Sequence, residues 1–166
     1  MFCTPNYLII EVNESDIIHI AKIYNSNQNF LRKHIGVERI SEDWVLNEIH
    51  EMRENGFLCC MIIDKNSALP VGFLEFKISE ETYLSLIMIN SDNKKNGIGK
   101  EIIQYFSEYV KHQNSSRIRI DVVADYDESV LKFWINNGFI PEKENVLSWC
   151  GKKLHAIKMV KDLMLD

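Results

Sequence analysis

The chain has 166 residues, of which 46% are hydrophobic, enough for one ordinary domain with a sizeable core. A formal net charge of −5 and a pI of about 5.6 argue against nucleic acid as the main partner. No apolar run approaches the roughly 20 residues of a membrane span, and no basic and then apolar leader opens the chain. Residues 1–166 therefore read as a single domain without linkers or repeats. Tyr7 to Val12 reads as a first strand. Asn13 caps a helix with Ile17, Ile18, Ala21 and Tyr24 on one face. Asn25 to Ile40 is polar and mixed, and carries the loop histidine His34. Ser41 caps a second helix, with Trp44, Val45, Ile49 and Met52 inward, ended by Asn55-Gly56.

Three strands follow. Phe57 to Ile63 is continuously apolar and suits a central position; Val71 to Ile78 and Tyr83 to Ile89 come next. A helix with Ile102, Phe106 and Val110 as its inward stripe follows Gly99. Ile118, Ile120 and Val122 alternate in a further strand, and Ser129 to Asn137 is a short helix stopped by Gly138. Val146 to Cys150 and His155 to Val160 form a closing hairpin around Gly151. The predicted order is βααβββαβαββ, a mixed α/β sheet. Cys3, Cys59, Cys60 and Cys150 have no metal-like spacing and read as free core thiols of a reducing cytoplasm. The neighbours Cys59 and Cys60 should face opposite sides of their strand.

The densest chemistry lies in Leu84 to Phe106. A strand enters the turn Gly97-Ile98-Gly99, flanked by Lys94, Lys95 and Lys100, and the turn opens an amphipathic helix. Backbone N–H groups, the helix dipole and lysine charge converge there on one point, as a pyrophosphate site requires. The spacing fits neither common nucleotide motif. A P-loop would need glycine at Lys94 and Ser or Thr at Glu101, and a dinucleotide fingerprint would need glycine at Ile102.

The stretch from Ile89 to Lys100 resembles motif A of the GNAT N-acetyltransferases, Arg/Gln-x-x-Gly-x-Gly/Ala, with Lys94 at the Arg/Gln position. Asp127 to Phe139 resembles the family's motif B; Asp127, Val130 and Trp134 stand for its Asn, Ala and Tyr, and Gly138-Phe139 match. The resemblance implies a mixed, largely antiparallel sheet flanked by helices, and acetyl-coenzyme A as co-substrate with no metal. It implies that Ile87, Met88 and Ile89 hold the pantetheine by main chain. Lys94, Lys95, Asn96, Gly97, Ile98, Gly99 and Lys100 hold the pyrophosphate, and Asp127 and Trp134 flank the cofactor. The acceptor is then an amine of a small molecule or peptide, bound by Asn25 to Ile40 and the closing hairpin, in a monomer or homodimer.

Catalysis by direct transfer needs a group to take a proton from an ammonium substrate. Glu75 on the third strand and Tyr83 at the start of the fourth are the candidates, with Asp121 a further carboxylate. Period-2 alternation places Glu75 either on the active-site face or in solvent. Trp134 lacks the acidity of the family's tyrosine, so Tyr126 is the candidate acid, with a thiolate protonated by water as the other route. The missing tyrosine also keeps open a non-catalytic acyl-coenzyme A binding domain.

Overall fold

A computed structural model describes residues 1–94, 96–123 and 128–163. An eight-stranded sheet runs in the order β1-β2-β3-β4-β5-β6-β8-β7. Its strands are β1 (Phe2–Cys3), β2 (Tyr7–Glu11), β3 (Leu58–Asp64), β4 (Pro70–Lys77), β5 (Glu81–Ile89), β6 (Arg117–Val122), β7 (Ile140–Trp149) and β8 (Lys152–Asp162). Every pairing is antiparallel except β5 with β6. The mixed, largely antiparallel sheet read from the sequence is therefore present. The short β1 and a longer β7–β8 hairpin are additions to it.

Helices cover both faces. On one lie α1 (Ile17–Ser26), α2 (Gln28–Phe30) and α3 (Glu42–Glu54); on the other lie α4 (Ile98–His112) and α5 (Glu128–Asn136). Asn13 caps a 3₁₀ turn that leads into α1, and the Ser41 hydroxyl accepts from Trp44 N–H at the start of α3. The alternation of β3 divides the core. Cys59 and Met61 pack with α1 and α3, while Cys60 and Ile62 pack with α4. Ile98, Ile102, Ile103, Phe106 and Val110 form the inward stripe of α4.

Three expectations change. The polar segment after Asn25 is helical, with α2 followed by a π-helix at Leu31–Ile35, because Leu31 and Ile35 are apolar one turn apart and both buried. Ile18 is 40% exposed, so the inward face of α1 is Ile17, Ile20, Ala21, Ile23 and Tyr24. Of the four free cysteines only Cys59 and Cys60 are core thiols; Cys3 and Cys150 are exposed.

Candidate active site

The site begins as a defect in the sheet. β5 and β6 pair in parallel only over Glu81–Tyr83 and Arg117–Arg119. Beyond that they part. Against β4, Glu75 faces Leu86 but Phe76 faces Leu84, so Ser85 is an extra residue and β5 bulges there. A bulge bends its strand, and this one sits where pairing with β6 stops. The closed end of the gap is pinned by charge. Arg117 reaches Glu81 (3.7 Å), Glu142 (3.7 Å) and Asp162 (2.9 Å), and Lys158 reaches Glu81 (3.3 Å) and Glu142 (2.9 Å). The far end of β5 is tied to α1. Asn27 Nδ2 donates to the Ile89 carbonyl (3.1 Å), and Ser91 N–H donates to Ser26 Oγ (3.0 Å).

A cavity of about 990 Å³ passes through this gap. Leu84 to Ile89 of β5 and Ile120 to Val122 of β6 line its waist. Lys94, Val130 and Trp134 line one end, and α2, α3 and the tip of the β7–β8 hairpin line the other.

Next to the first end, outside the cavity lining itself, the turn into α4 is built by main chain. Gly97 stands before α4 with φ 77°, a left-handed conformation that suits glycine. A Cβ there would meet no atom within 4 Å, so the turn faces open space. Among the described residues no side chain caps α4. The N–H groups of its first turn, at Ile98, Gly99 and Lys100, have no acceptor within the helix. Gly99 has a different task, since a Cβ on it would lie 3.1 Å from the Phe133 ring of α5. Glu101 is turned away from the open side by bonds from the Thr4 hydroxyl, Asn6 N–H (3.1 Å) and Asn6 Nδ2 (2.9 Å). Lys94, Asn96 and Lys100 are exposed around the turn. Trp134 is buried in the wall, edge-on to Phe133 (5.1 Å) and Phe139 (5.0 Å).

At the closed end of the gap the Arg119 guanidinium lies 5.0 Å over the Tyr83 ring. Arg119 Nη2 also donates to Asp121 Oδ2 (2.8 Å), and Asn145 Nδ2 donates to Asp121 Oδ1 (2.8 Å). Burial, with the Asp121 carboxylate beside it, pushes the Tyr83 phenol well above its ordinary range. Tyr83 is thus a neutral hydroxyl at physiological pH.

The second end is built by side chains. Phe30 stacks on His34 (4.3 Å), and Trp149 of the hairpin tip meets both edge-on, at 5.6 and 5.8 Å. Burial, with the Lys152 charge near it, lowers His34 to about 4, so its imidazole is neutral. Glu48 and Glu51 of α3 line this end with Trp44. Burial and then repulsion from Glu51 raise Glu48, and a hydrogen bond from Trp149 opposes them. Behind the wall, Glu75 is 1% exposed. Burial first, then Glu48, push its carboxyl up to about 8. Cys59 Sγ lies 3.8 Å from Glu75 Oε1, while Glu75 Oε2 and the Tyr24 hydroxyl have no hydrogen-bond partner among the described residues.

A family model of GNAT acetyltransferases matches residues 20–139. The chain belongs to the GNAT acetyltransferase family. Similar solved structures include an acetyltransferase of that family from Bacillus anthracis, with 13% identity, a TM-score of 0.78 and 96% of each chain covered. Spermidine N-acetyltransferase from Vibrio cholerae, solved with CoA and spermine, gives 17% and 0.73 over 95% of this chain and 96% of its own. Ribosomal-protein-S5-alanine acetyltransferase from Vibrio fischeri gives 19% and 0.69 over 98% and 96%. At these identities the likeness shows the fold. No curated protein sequence matches the chain. Family membership makes this protein an N-acetyltransferase, an enzyme that moves acetyl groups to amines.

Within this acetyltransferase, Ile87, Met88, Ile89, Lys94 and Trp134 all line one cavity with Tyr83. Glu75 lies one layer behind, opposite Leu86 in register, buried rather than in solvent. Lys95, Tyr126 and Asp127 lie outside the described residues. The sequence reading passed over Glu48, Glu51, Trp44 and Trp149 as site residues. Only the three- and four-residue spacing of α3 carries a trace, since Trp44, Glu48 and Glu51 share a helical face.

Proposed function

We propose that the protein transfers the acetyl group of acetyl-coenzyme A to a primary amine of a small molecule or peptide, directly, with both substrates bound together. The observation that carries this reading is the continuous cavity. It runs from Lys94, next to the turn that opens α4, to a separate pocket through a gap beside an unpaired strand edge, and the α4 N-terminus fit for phosphates lies just outside its lining.

The residues fit the co-substrate. The open left-handed turn at Gly97 and the first N–H groups of α4, at Ile98, Gly99 and Lys100, would hold the pyrophosphate, with Lys94, Asn96 and Lys100 adding polar and cationic side chains. Lys95 and Asp127 belong to this proposed set by motif alone. The β5 edge at Ile87, Met88 and Ile89 would pair with the pantetheine amides as a further strand does. Acetyl-coenzyme A supplies an activated thioester. The chain's own work is to align the two substrates, to meet developing negative charge with a β5 N–H, and to take a proton from the amine. We assign that proton to Glu75. Its carboxyl is shifted close to neutral pH by burial, the range in which a base works best. Tyr83, held neutral beside Asp121, orients rather than abstracts. Trp134 walls the thiol end and has no proton to lend, so the departing thiolate takes its proton from Tyr126 or water.

Cytoplasmic location is part of the same proposal. It rests on the unpaired thiols and the co-substrate. Among the described residues no helix is long and apolar enough to cross a membrane. The test is release of free thiol from acetyl-coenzyme A with a panel of polyamines, aminoglycosides, amino acids and peptide amines. Turnover with at least one amine is expected. Tight binding of acetyl-coenzyme A with no turnover across the panel would instead support the non-catalytic acyl-coenzyme A reading that Trp134 suggests.

A further inference from the structure

The second end of the cavity presents two lining carboxyls, Glu48 and Glu51, one more than a single reacting amine can use. Glu48 and Glu51 line it, and Glu75 stands behind them with one oxygen buried and unpartnered. Glu51 repels Glu48, and Glu48, after burial, helps Glu75 to hold its proton. None of the three forms an ion pair with Lys or Arg among the described residues. His34 at the same end is neutral, and the Lys152 charge near it forms no ion pair with Glu48 or Glu51 among the described residues. The walls between these carboxylates are aromatic, Trp44, Phe30 and Trp149, and the Trp149 indole also donates to Glu48.

An amine that attacks a thioester must be neutral when it does so. The nitrogen being acetylated therefore cannot balance these carboxylates at the moment of reaction. A second nitrogen, remote from the first and still protonated, can. Aromatic rings suit both parts of such a molecule, its methylene chain by apolar contact and its ammonium by attraction to the ring face. Trp149 closes over Phe30 and His34, which favours a slender free molecule over a folded protein surface.

We propose that the acceptor is an aliphatic diamine or longer polyamine, with its non-reacting ammonium held by Glu48 and Glu51 between Trp44 and Trp149. This rests on the transferase reading above and adds the acceptor class and its determinants.

The experiment compares 1-aminobutane, 1,4-diaminobutane, a linear triamine and a lysine-containing peptide. It measures kcat/KM by thiol release, and direct binding by tryptophan fluorescence in the presence of coenzyme A. Wild type should favour 1,4-diaminobutane over 1-aminobutane by about tenfold or more, the factor given by 1.4 kcal/mol. The double variant Glu48→Gln, Glu51→Gln should bring that ratio towards one. Glu54→Gln, exposed on the same helix and outside the cavity, should leave it unchanged. In wild type alone, diamine affinity should fall more steeply with salt than monoamine affinity, which tests the proposal even if the double variant does not fold. Equal use of the two amines, preference for the peptide, or a ratio that survives the double substitution would overturn it. If no amine turns over, the transferase reading fails, and the fluorescence arm still decides this one: tighter binding of the diamine supports it, equal binding overturns it.

Discussion

The two ends of the cavity are made of different material. The end near Gly97, walled by Val130 and Trp134, adjoins backbone: a left-handed turn, helix N–H groups that no described side chain caps, and an unpaired strand edge. Its neighbours in space are neighbours in sequence, from Leu84 to Lys100. The other end is made of side chains from α2, the π-helix, α3 and the β7–β8 hairpin, brought together only by folding. A backbone site suits a ligand that every family member shares, because it asks little of side chains beyond glycine. A side-chain site suits a ligand that differs between members, because one substitution can change it.

This contrast can be broken most severely at Gly97. A Gly97→Leu variant should lose coenzyme A binding by calorimetry, because the new side chain fills the open side of the turn. Stability should fall by only about 1–2 kcal/mol for the left-handed backbone. Unchanged affinity would place the phosphates elsewhere. Glu75→Gln should come next, with kcat reduced about 100-fold, as loss of a general base does, while the KM for acetyl-coenzyme A stays put. The same variant has a stability signature. Glu75 holds its proton to about pH 8 in the fold, against an ordinary 4.5. Between those values the folded state binds more protons than the unfolded state, so stability should fall as pH rises through this window and level off above it. Melting temperatures from pH 5 to pH 9 should show that slope in wild type and a flatter profile in Glu75→Gln.

Smaller effects sharpen the boundary between the two ends. Trp134→Ala should lower stability by about 3 kcal/mol, since the ring is buried between Phe133 and Phe139. Trp134→Tyr should keep or raise turnover. If Trp134→Phe lost turnover with normal coenzyme A binding, the indole would have a chemical role. Lys94→Glu and Lys100→Glu should raise the KM for acetyl-coenzyme A about fivefold at low salt, less at high salt, with kcat little changed, as expected of exposed charges. A fall in kcat alone would move these lysines to the acceptor side.

Legibility in the sequence followed the same division. The helix at Gly97, the strand before it and the core stripe of α4 were all readable, since each is written in consecutive residues. Cys59 and Cys60 fell on opposite faces as alternation requires. The π-helix at Leu31–Ile35 was not readable, because its five residues include Arg32, Lys33 and His34 and mimic a polar loop. The burial of Glu75 was half readable: period 2 gave its side of β4, but α1 and α3, which bury it, are remote in sequence. The meeting of Glu48 with Trp149 left no local trace beyond the helical spacing of Trp44, Glu48 and Glu51, because about a hundred residues separate the two.

The central claim is that main chain at the α4 N-terminus and along β5 reads coenzyme A. Amide hydrogen exchange with and without coenzyme A tests it residue by residue. Protection should appear at Ile98, Gly99 and Lys100 and along Ser85 to Ile89, and be absent from the β1–β2 pair on the far edge of the sheet. Saturating coenzyme A that left both segments exchanging as in the free protein would contradict the account.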